Sequence, residues 1–274
     1  MGEVAVHVRV LVGCTVPPYK ADHDEYVTAW LIHAAAMQEF SREYGHEVEF
    51  FVALEVDARG NGLQDALLRR LAAVGGWRVE FRYDNGADYL TNEDRINRIC
   101  MGRNLVTEQG LIGRYDAILF LDSDTMAPPE SVVRMLNVTW PIVGGHVPTY
   151  GLTGPRVKTY HQIVLQHGRE FPFIANPRLP WEFVPDDAIP SSDAQVHWNT
   201  AGFLLVHRVL FRRLRWYWDL DDGLTDDPAY QRDARETYGF HTVVLHDLVG
   251  EHFPRSIGPL ASRGHDLSLR SVIQ

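Results

Sequence analysis

Cysteine, long hydrophobic runs and basic charge are all scarce in this sequence. Its 274 residues include two cysteines, Cys14 and Cys100, which provide neither a disulfide framework nor the paired spacing of a zinc site. No hydrophobic run reaches the roughly 20 residues that a membrane-spanning helix needs, and residues 1–8 lack the basic and apolar regions of a secretory signal. These absences predict a reduced, cytoplasmic protein with no transmembrane segment.

The charge balance is acidic, with 36 aspartates and glutamates against 26 lysines and arginines and a formal net charge of −10. Nonspecific binding to nucleic acid or to anionic lipid is favoured by the opposite balance. Hydrophobic residues make up 45% of the chain, which is ordinary for a globular protein. The sequence also has no internal repeat and no low-complexity segment. A globular protein is therefore expected, and nucleic acid is less favoured as its acceptor than a glycan, lipid, protein or small molecule.

Strand and helix patterns alternate along the chain, which is typical of right-handed βαβ units. We therefore predict an α/β fold with a mostly parallel central sheet flanked by helices. The predicted strands are 4–13, 47–56, 78–83, 117–121, 141–145, 160–165, 199–208 and one ending at 245. The predicted helices are 25–44, 63–74, a long helix capped by Thr91 or Asn92, 130–136, 209–216 and 232–238. Residues 147–197 show little periodicity and are interpreted as an acceptor or lid surface. Trp181 in this segment and Trp198 just after it are expected to face a ligand, with core packing as the competing interpretation.

The segment Tyr115–Asp124 places an apolar run of strand length directly before two carboxylates. Residues 117–121 are uninterrupted hydrophobics, as in a strand buried on both faces of a parallel sheet. In open α/β sheets the ligand lies beyond the carboxyl ends of the strands, which is where Asp122 and Asp124 stand. Two carboxylates at such a position either form a solvated turn or share a divalent cation. Mg²⁺ and Mn²⁺ are commonly held by one or two carboxylates together with substrate phosphates, so the second interpretation predicts a phosphorylated ligand.

The motif Ile118-Leu-Phe-Leu-Asp-Ser-Asp124 resembles the Asp-x-Asp segment of GT-A-fold glycosyltransferases, especially the family-two-like group that uses nucleotide sugars. The preceding helix, with Arg103-Asn104, is similar to the Ala-Arg-Asn helix of that group, although the interval to Asp122 is a few residues longer here. The resemblance implies a Rossmann-like GT-A domain over residues 1–274, with a smaller sheet on the acceptor side. Its nucleotide-sugar-binding half is 1–126, its acceptor and catalytic half 127–254, and its C-terminal flap or tail 255–274.

The segment Thr225-Asp226-Asp227 resembles the acidic pair of these enzymes, which is usually Glu-Asp, and it is followed by a helix, a strand and a histidine as in the family. The resemblance implies that Asp226 and Asp227 are catalytic, with Asp227 as the base that takes the proton of the acceptor hydroxyl. It also implies that His252 completes a Mn²⁺ or Mg²⁺ site with Asp122 and Asp124. For His252, a backbone hydrogen bond without any metal is the competing interpretation, and His246 is the competing ligand.

Donor-binding residues follow from the same resemblance: Thr15, Asp57, Arg103, Gly202 and Arg255. Thr15 would touch the base or ribose, and Asp57 would accept a hydrogen bond from the base or merely form a turn. Arg103 would reach the base or phosphate, or else lie on a solvated helix face. Arg255, with Arg263 as its alternative, would close a flap over the diphosphate or belong to an exposed tail.

The resemblance as a whole implies a metal-dependent transferase that moves a sugar from a UDP- or GDP-sugar to a hydroxyl of a glycan, lipid, protein or small molecule. Inversion at the anomeric carbon is favoured, because a retaining enzyme would not require the Asp227 carboxylate. A retaining GT-A transferase and a nucleotidyltransferase are the alternative enzymes. The Gly-rich phosphate loop of a nucleotidyltransferase is not found after the first strand, where residues 13–18 contain one glycine. A catalytically inert protein that binds carbohydrate or nucleotide sugar is the third alternative.

Overall fold

The computed structural model describes residues 7–16, 24–56, 77–83, 92–150, 156–158, 194–196, 199–222, 224 and 226–252. The predicted helix 63–74 and strand 160–165 lie outside these ranges. Within them, the strands in chain order are β1 Arg9–Val16, β2 Glu47–Val56, β3 Trp77–Tyr83, β4 Ala117–Leu121, β5 Thr125–Met126, β6 Ile142–His146, β7 Pro148–Tyr150, β8 Arg156–Lys158, β9 Ala194–Val196, β10 Phe203–His207, β11 Thr242–Val249 and β12 Glu251–His252. The helices are α1 Asp24–Glu43, α2 Asn92–Ile112, α3 Ser131–Asn137, α4 Arg208–Phe211 and α5 Asp226–Tyr238.

The main sheet has the strand order β3-β2-β1-β4-β10-β6-β11-β9. Strands β3, β2, β1 and β4 are parallel, and so are β6 and β11. Strand β10 runs antiparallel to both of its neighbours, β4 and β6, and β9 runs antiparallel to β11. Two small sheets, β12-β5 and β7-β8, complete the described strands. The predicted α/β fold with a central sheet flanked by helices is confirmed.

Strand β4 shows how the two faces of the sheet are covered. Its residues are all buried, and alternate side chains belong to opposite clusters, as the period of two in a strand requires. Ala117, Leu119 and Leu121 pack in a cluster with residues of α1 and α3. Ile118 and Phe120 pack in a second cluster with residues of α2, α4 and α5. Helices α2 and α5 therefore share one face of the sheet.

Several predicted boundaries are corrected by the structure. Strand β10 covers Phe203–His207 rather than 199–208, and β11 ends at Val249 rather than at 245. Strand β1 begins at Arg9 and continues beyond Gly13 to Val16, because residues 14–16 extend the parallel pairing with β2. The predicted helix 209–216 is wrong beyond residue 211, where α4 ends. Helix α5 begins at Asp226 rather than at residue 232, since acidic residues and proline are both accommodated in a first helical turn.

Among the described residues, no helix is both long enough and apolar enough to cross a membrane.

Candidate active site

Asp122 follows directly on β4, at the edge of the sheet where the parallel strands β1, β2 and β4 end. Its backbone N–H donates to the carbonyl of Gly202 at 3.0 Å, and its own carbonyl accepts from the N–H of Thr125 at 2.9 Å. A Cβ at Gly202 would lie 2.7 Å from Oδ2 of Asp122. The absence of a side chain at residue 202 therefore leaves room for the carboxylate, and the turn 122–125 carries both acids of the Asp-x-Asp segment.

Arg103 joins this edge to the acidic pair of α5. Its Nη1 contacts a carboxylate oxygen of Asp226 and lies 2.5 Å from Oδ1 of Asp227, while its Nη2 lies 3.4 Å from Oδ1 of Asp122. The Arg103 side chain is only 5% exposed, which excludes the solvated helix face as its location. One guanidinium thus brings Asp122 together with the pair Asp226 and Asp227, which lies more than a hundred residues later in the sequence.

Helix α2 reaches this position because Gly102 lets it lie close to β1. A Cβ at Gly102 would collide with the Cγ2 methyl of Thr15, which stands in the last part of β1. A larger residue would force a shift either of the Thr15 side chain or of the helix that carries Arg103. Thr15 is therefore placed beside the helix that carries Arg103, at the same edge as Asp122.

Aromatic rings support the guanidinium from the interior. The Cζ of Arg103 lies 4.9 Å from the centroid of the Trp216 ring, a cation–π arrangement. Trp216 stacks on Tyr230 with ring centroids 4.0 Å apart, and it meets Phe120 edge-on at 4.8 Å. The side chain of Asn104 fixes the backbone at Trp216. Its Oδ1 accepts from the backbone N–H of Trp216 at 3.0 Å, and its Nδ2 donates to the backbone carbonyl of Trp216 at 2.8 Å.

Gln231 fixes the start of α5 against the sheet. Its Oε1 accepts from the backbone N–H of Asn199 at 2.7 Å and from the hydroxyl of Thr242 at 2.6 Å. Its Nε2 donates to the carbonyl of Asn199 at 2.6 Å and to the carbonyl of Asp227 at 3.1 Å. These bonds are buried and directional, so the position of Asp227 is fixed from the backbone side as well as through Arg103.

The charges at the site do not balance. Burial by itself would lower the pKa of Arg103, but the carboxylates of Asp226, Asp227 and Asp122 raise it well above its ordinary value. Burial raises the pKa of Asp226 to about 7; Arg103 opposes this rise, and Asp227 and Asp122 add to it. Burial, with Asp226 nearby, also raises the pKa of the Cys100 thiol to about 12, so Cys100 is no thiolate nucleophile at neutral pH.

Two solved glycosyltransferases have a similar backbone. The mannosyltransferase PcManGT from Pyrobaculum calidifontis, in complex with GDP-Man and Mn²⁺, matches with a TM-score of 0.52 at 14% identity, over 92% of this chain and 59% of that one. GalNAc-T7, with UDP, GalNAc and Mn²⁺, matches with a TM-score of 0.53 at 10% identity, over 91% of this chain and 44% of that one. At such identities the likeness establishes the fold alone. The chain has a GT-A-like fold.

A 4-diphosphocytidyl-2C-methyl-D-erythritol synthase from Anaerococcus prevotii is also similar, with a TM-score of 0.45 at 11% identity over 87% of each chain. No protein-family model and no curated protein matches the sequence. This chain spans 59% and 44% of the lengths of the two glycosyltransferases.

Asp122 and Asp124 lie in one turn at the edge of the sheet, and the donor atoms of this turn can be compared with those that a divalent cation requires. Asp122 and Asp124 offer carboxylate oxygens, the ligands that these hard cations take. The backbone of His252 pairs with Thr125 in the small sheet β12-β5, one residue after Asp124. Among the described residues, no group of three or more histidine, cysteine, aspartate or glutamate side chains forms a metal site. The donor set fits a cation whose other ligands come from a substrate.

Other predicted site residues lie outside the described part of the chain. These are Asp57 and Arg255, and with them Arg263 and the aromatic pair Trp181 and Trp198. The competing ligand His246 belongs to β11, which continues past residue 245 to Val249. Sequence analysis gives no role in the site to four residues that hold it together: Asn104, Asn199, Trp216 and Gln231. Asn104 could have been found, because it belongs to the Arg103-Asn104 pair of the resemblance. No pattern in the sequence assigns a role to the other three.

Proposed function

We propose that this protein is a family-two-like glycosyltransferase that moves a sugar from a UDP- or GDP-sugar to a hydroxyl group, with inversion at the anomeric carbon. The GT-A-like fold supports this proposal. The observation that carries it is the meeting of Asp122 with Asp226 and Asp227 around Arg103, at the carboxyl ends of β1 and β4. In such a reaction the metal site that binds the leaving diphosphate and the general base must lie no further apart than the length of one sugar. This edge brings the proposed metal ligand, Asp122, close to the proposed base, Asp227.

The excess of negative charge supports a requirement for a divalent cation. In the described part of the chain, the carboxyl groups of Asp122, Asp226 and Asp227 meet around the guanidinium of Arg103. A diphosphate approaching this edge would be repelled unless a cation came with it. Mn²⁺ or Mg²⁺ on Asp122 and Asp124, with His252 as a further ligand, would shield this repulsion and stabilise the charge that develops on the leaving diphosphate.

Solvent access favours Asp227 over Asp226 as the base. The Asp227 side chain is 19% exposed and the Asp226 side chain 8%, so Asp227 is the acid that an acceptor can reach. In the proposed step its carboxylate takes the proton of the acceptor hydroxyl while that oxygen bonds to the anomeric carbon. The bond from the anomeric carbon to the diphosphate oxygen breaks, and its electron pair leaves with the nucleoside diphosphate.

The donor would lie along the same edge of the sheet. In this proposal Thr15 contacts the base or ribose, and Gly202 leaves space for the sugar next to Asp122. Asp57 would accept a hydrogen bond from the base, and Arg255 would close over the diphosphate. The acceptor would be a glycan, a lipid, a protein or a small molecule.

The test compares wild type with Asp227→Asn in two assays. Release of nucleoside diphosphate from UDP-glucose, UDP-N-acetylglucosamine and GDP-mannose, with Mn²⁺ and with water as acceptor, reports turnover. Calorimetric titration with UDP or GDP, with and without Mn²⁺, reports binding. We expect Mn²⁺-dependent binding in both proteins and turnover in the wild type only, with a loss of about 10²- to 10⁴-fold in the variant.

Three other results would contradict the proposal. Mn²⁺-dependent binding without turnover in the wild type would indicate a binding protein. Release of pyrophosphate from a nucleoside triphosphate and a sugar phosphate would indicate a nucleotidyltransferase. Equal turnover in Asp227→Asn, or a product with the donor's anomeric configuration, would indicate that Asp227 is not the base of an inverting reaction.

A further inference from the structure

We propose that Arg103 is a positioning residue, which acts by holding Asp227 and Asp122 at a fixed separation and makes no contact with the donor. This inference rests on the proposed function and gives Arg103 a different role from the donor contact that the sequence resemblance implies.

The guanidinium is already engaged on both of its terminal nitrogens. Nη1 is taken up by Asp226 and Asp227, and Nη2 faces Asp122 at 3.4 Å. A guanidinium is planar and rigid, so atoms bound to its two nitrogens are held at a set distance and angle. The proposed base and the proposed metal ligand are thereby linked through a single side chain.

Burial and packing prevent the guanidinium from turning towards a ligand. The side chain is 5% exposed, which leaves almost no surface for a diphosphate. The Trp216 ring stands 4.9 Å from its Cζ, and Trp216 is itself buried against Tyr230 and Phe120. Movement of Arg103 towards the donor would break its contacts with the acids and leave a cavity over the ring.

Asp226 has a supporting part in the same arrangement. Its side chain is more buried than that of Asp227, and it contacts the same Nη1. It therefore fixes the guanidinium on the side away from Asp122, which identifies Asp226 as a second positioning residue and leaves the proton transfer to Asp227.

The experiment uses Arg103→Lys, which keeps the positive charge but cannot make the forked contact. Its matched control is Arg212→Lys, at an exposed position after α4. Turnover is measured as nucleoside diphosphate released from the sugar nucleotides above with Mn²⁺, and binding as the Kd of UDP or GDP with Mn²⁺. Misplacement of reacting groups by about 1 Å costs about 100-fold in rate. We therefore expect kcat to fall by about 100-fold in Arg103→Lys, with the donor KM and the nucleotide Kd within about threefold of wild type, and no change in Arg212→Lys.

A double variant, Arg103→Gln with Asp226→Asn, replaces the guanidinium together with the buried acid that it contacts and covers the case in which the lysine variant does not fold. It is expected to show the same loss of kcat with the donor KM retained.

The outcomes separate this inference from the proposed function. If the wild type releases no nucleoside diphosphate from any of the donors, the proposed function fails and the inference fails with it. If the wild type is active and either Arg103 variant keeps its kcat, only the inference is overturned. If that variant also loses donor affinity by tenfold or more, Arg103 is a donor-binding residue.

Discussion

Replacement of Gly202 by alanine tests how closely the first acid of the proposed metal site is held. The added Cβ would lie 2.7 Å from Oδ2 and 3.0 Å from Cγ of Asp122, whereas ordinary contact begins at 3.4 Å. The carboxylate oxygen must therefore move from 2.7 to 3.4 Å, a shift of about 0.7 Å. Metal–ligand distances tolerate deviations of about 0.2 Å. The backbone φ of Gly202 lies outside the left-handed region, so the substitution introduces no backbone strain of its own.

We expect Gly202→Ala to weaken Mn²⁺ binding by about 10- to 100-fold, the range found when the surroundings of a metal ligand are altered. This range corresponds to a loss of about 1.4 to 2.8 kcal/mol in binding free energy. Calorimetric titration of Mn²⁺ in the presence of saturating UDP or GDP measures the effect, and the melting temperature verifies folding. The control is Gly110→Ala, whose Cβ would lie 2.5 Å from the Cδ1 methyl of Ile118, in the hydrophobic interior. A Mn²⁺ affinity in Gly202→Ala that equals that of wild type would refute the role of Asp122 as a ligand.

Two further predictions concern stability. Gln231→Leu leaves the buried N–H of Asn199 and the hydroxyl of Thr242 without their acceptor, which should lower the free energy of unfolding by about 1–3 kcal/mol for each group. Urea unfolding should show a lower midpoint with an unchanged slope. A midpoint equal to that of wild type would count against the role of the Gln231 hydrogen bonds. The native state keeps the proton of Asp226 up to about pH 7, whereas its ordinary pKa is 3.8, so the stability from this group is complete below that ordinary value and is lost as the pH rises through about 7. Asp226→Asn should therefore flatten the fall in unfolding free energy across this interval, and an unchanged pH profile would contradict the raised pKa.

The elements with a regular hydrophobic period were predictable from the sequence. Helix α1 begins and ends within one residue of its predicted bounds, because its apolar stripe is clear and Gly45, at φ +79°, allows the turn after it. Strand β4 has the predicted bounds. The predicted helix 209–216 ends at residue 211. Leu214 and Trp216 lie in the loop after it and are buried in one cluster with residues of α2 and α5, and buried apolar residues in a loop resemble the apolar face of a helix.

Individual residues of the candidate site could be proposed from the sequence, but the contacts between them could not. The fold places the end of β4 and the start of α5 near each other, as the resemblance implied. The role of Arg103 has a signal in hindsight, because it stands in the buried stripe of α2 that includes Cys100, Val106 and Gly110. A cation in such a stripe must meet an anion inside the protein, but which acids it meets depends on contacts over more than a hundred residues, and no local pattern encodes these.

The antiparallel insertion of β10 has a consequence for biosynthesis. One edge of β4 pairs with β1, but the other edge pairs with residues 203–207, which leave the ribosome some eighty residues later. Strand β6 also pairs with β10, so one edge of β6 likewise has no partner until residues 203–207 have been synthesised. During translation the nascent N-terminal half would therefore present an unpaired hydrophobic strand edge, a template for intermolecular pairing. The link between the two halves of the sheet therefore depends on one five-residue strand, and the acidic edge is complete only after Asp226 and Asp227 have followed it.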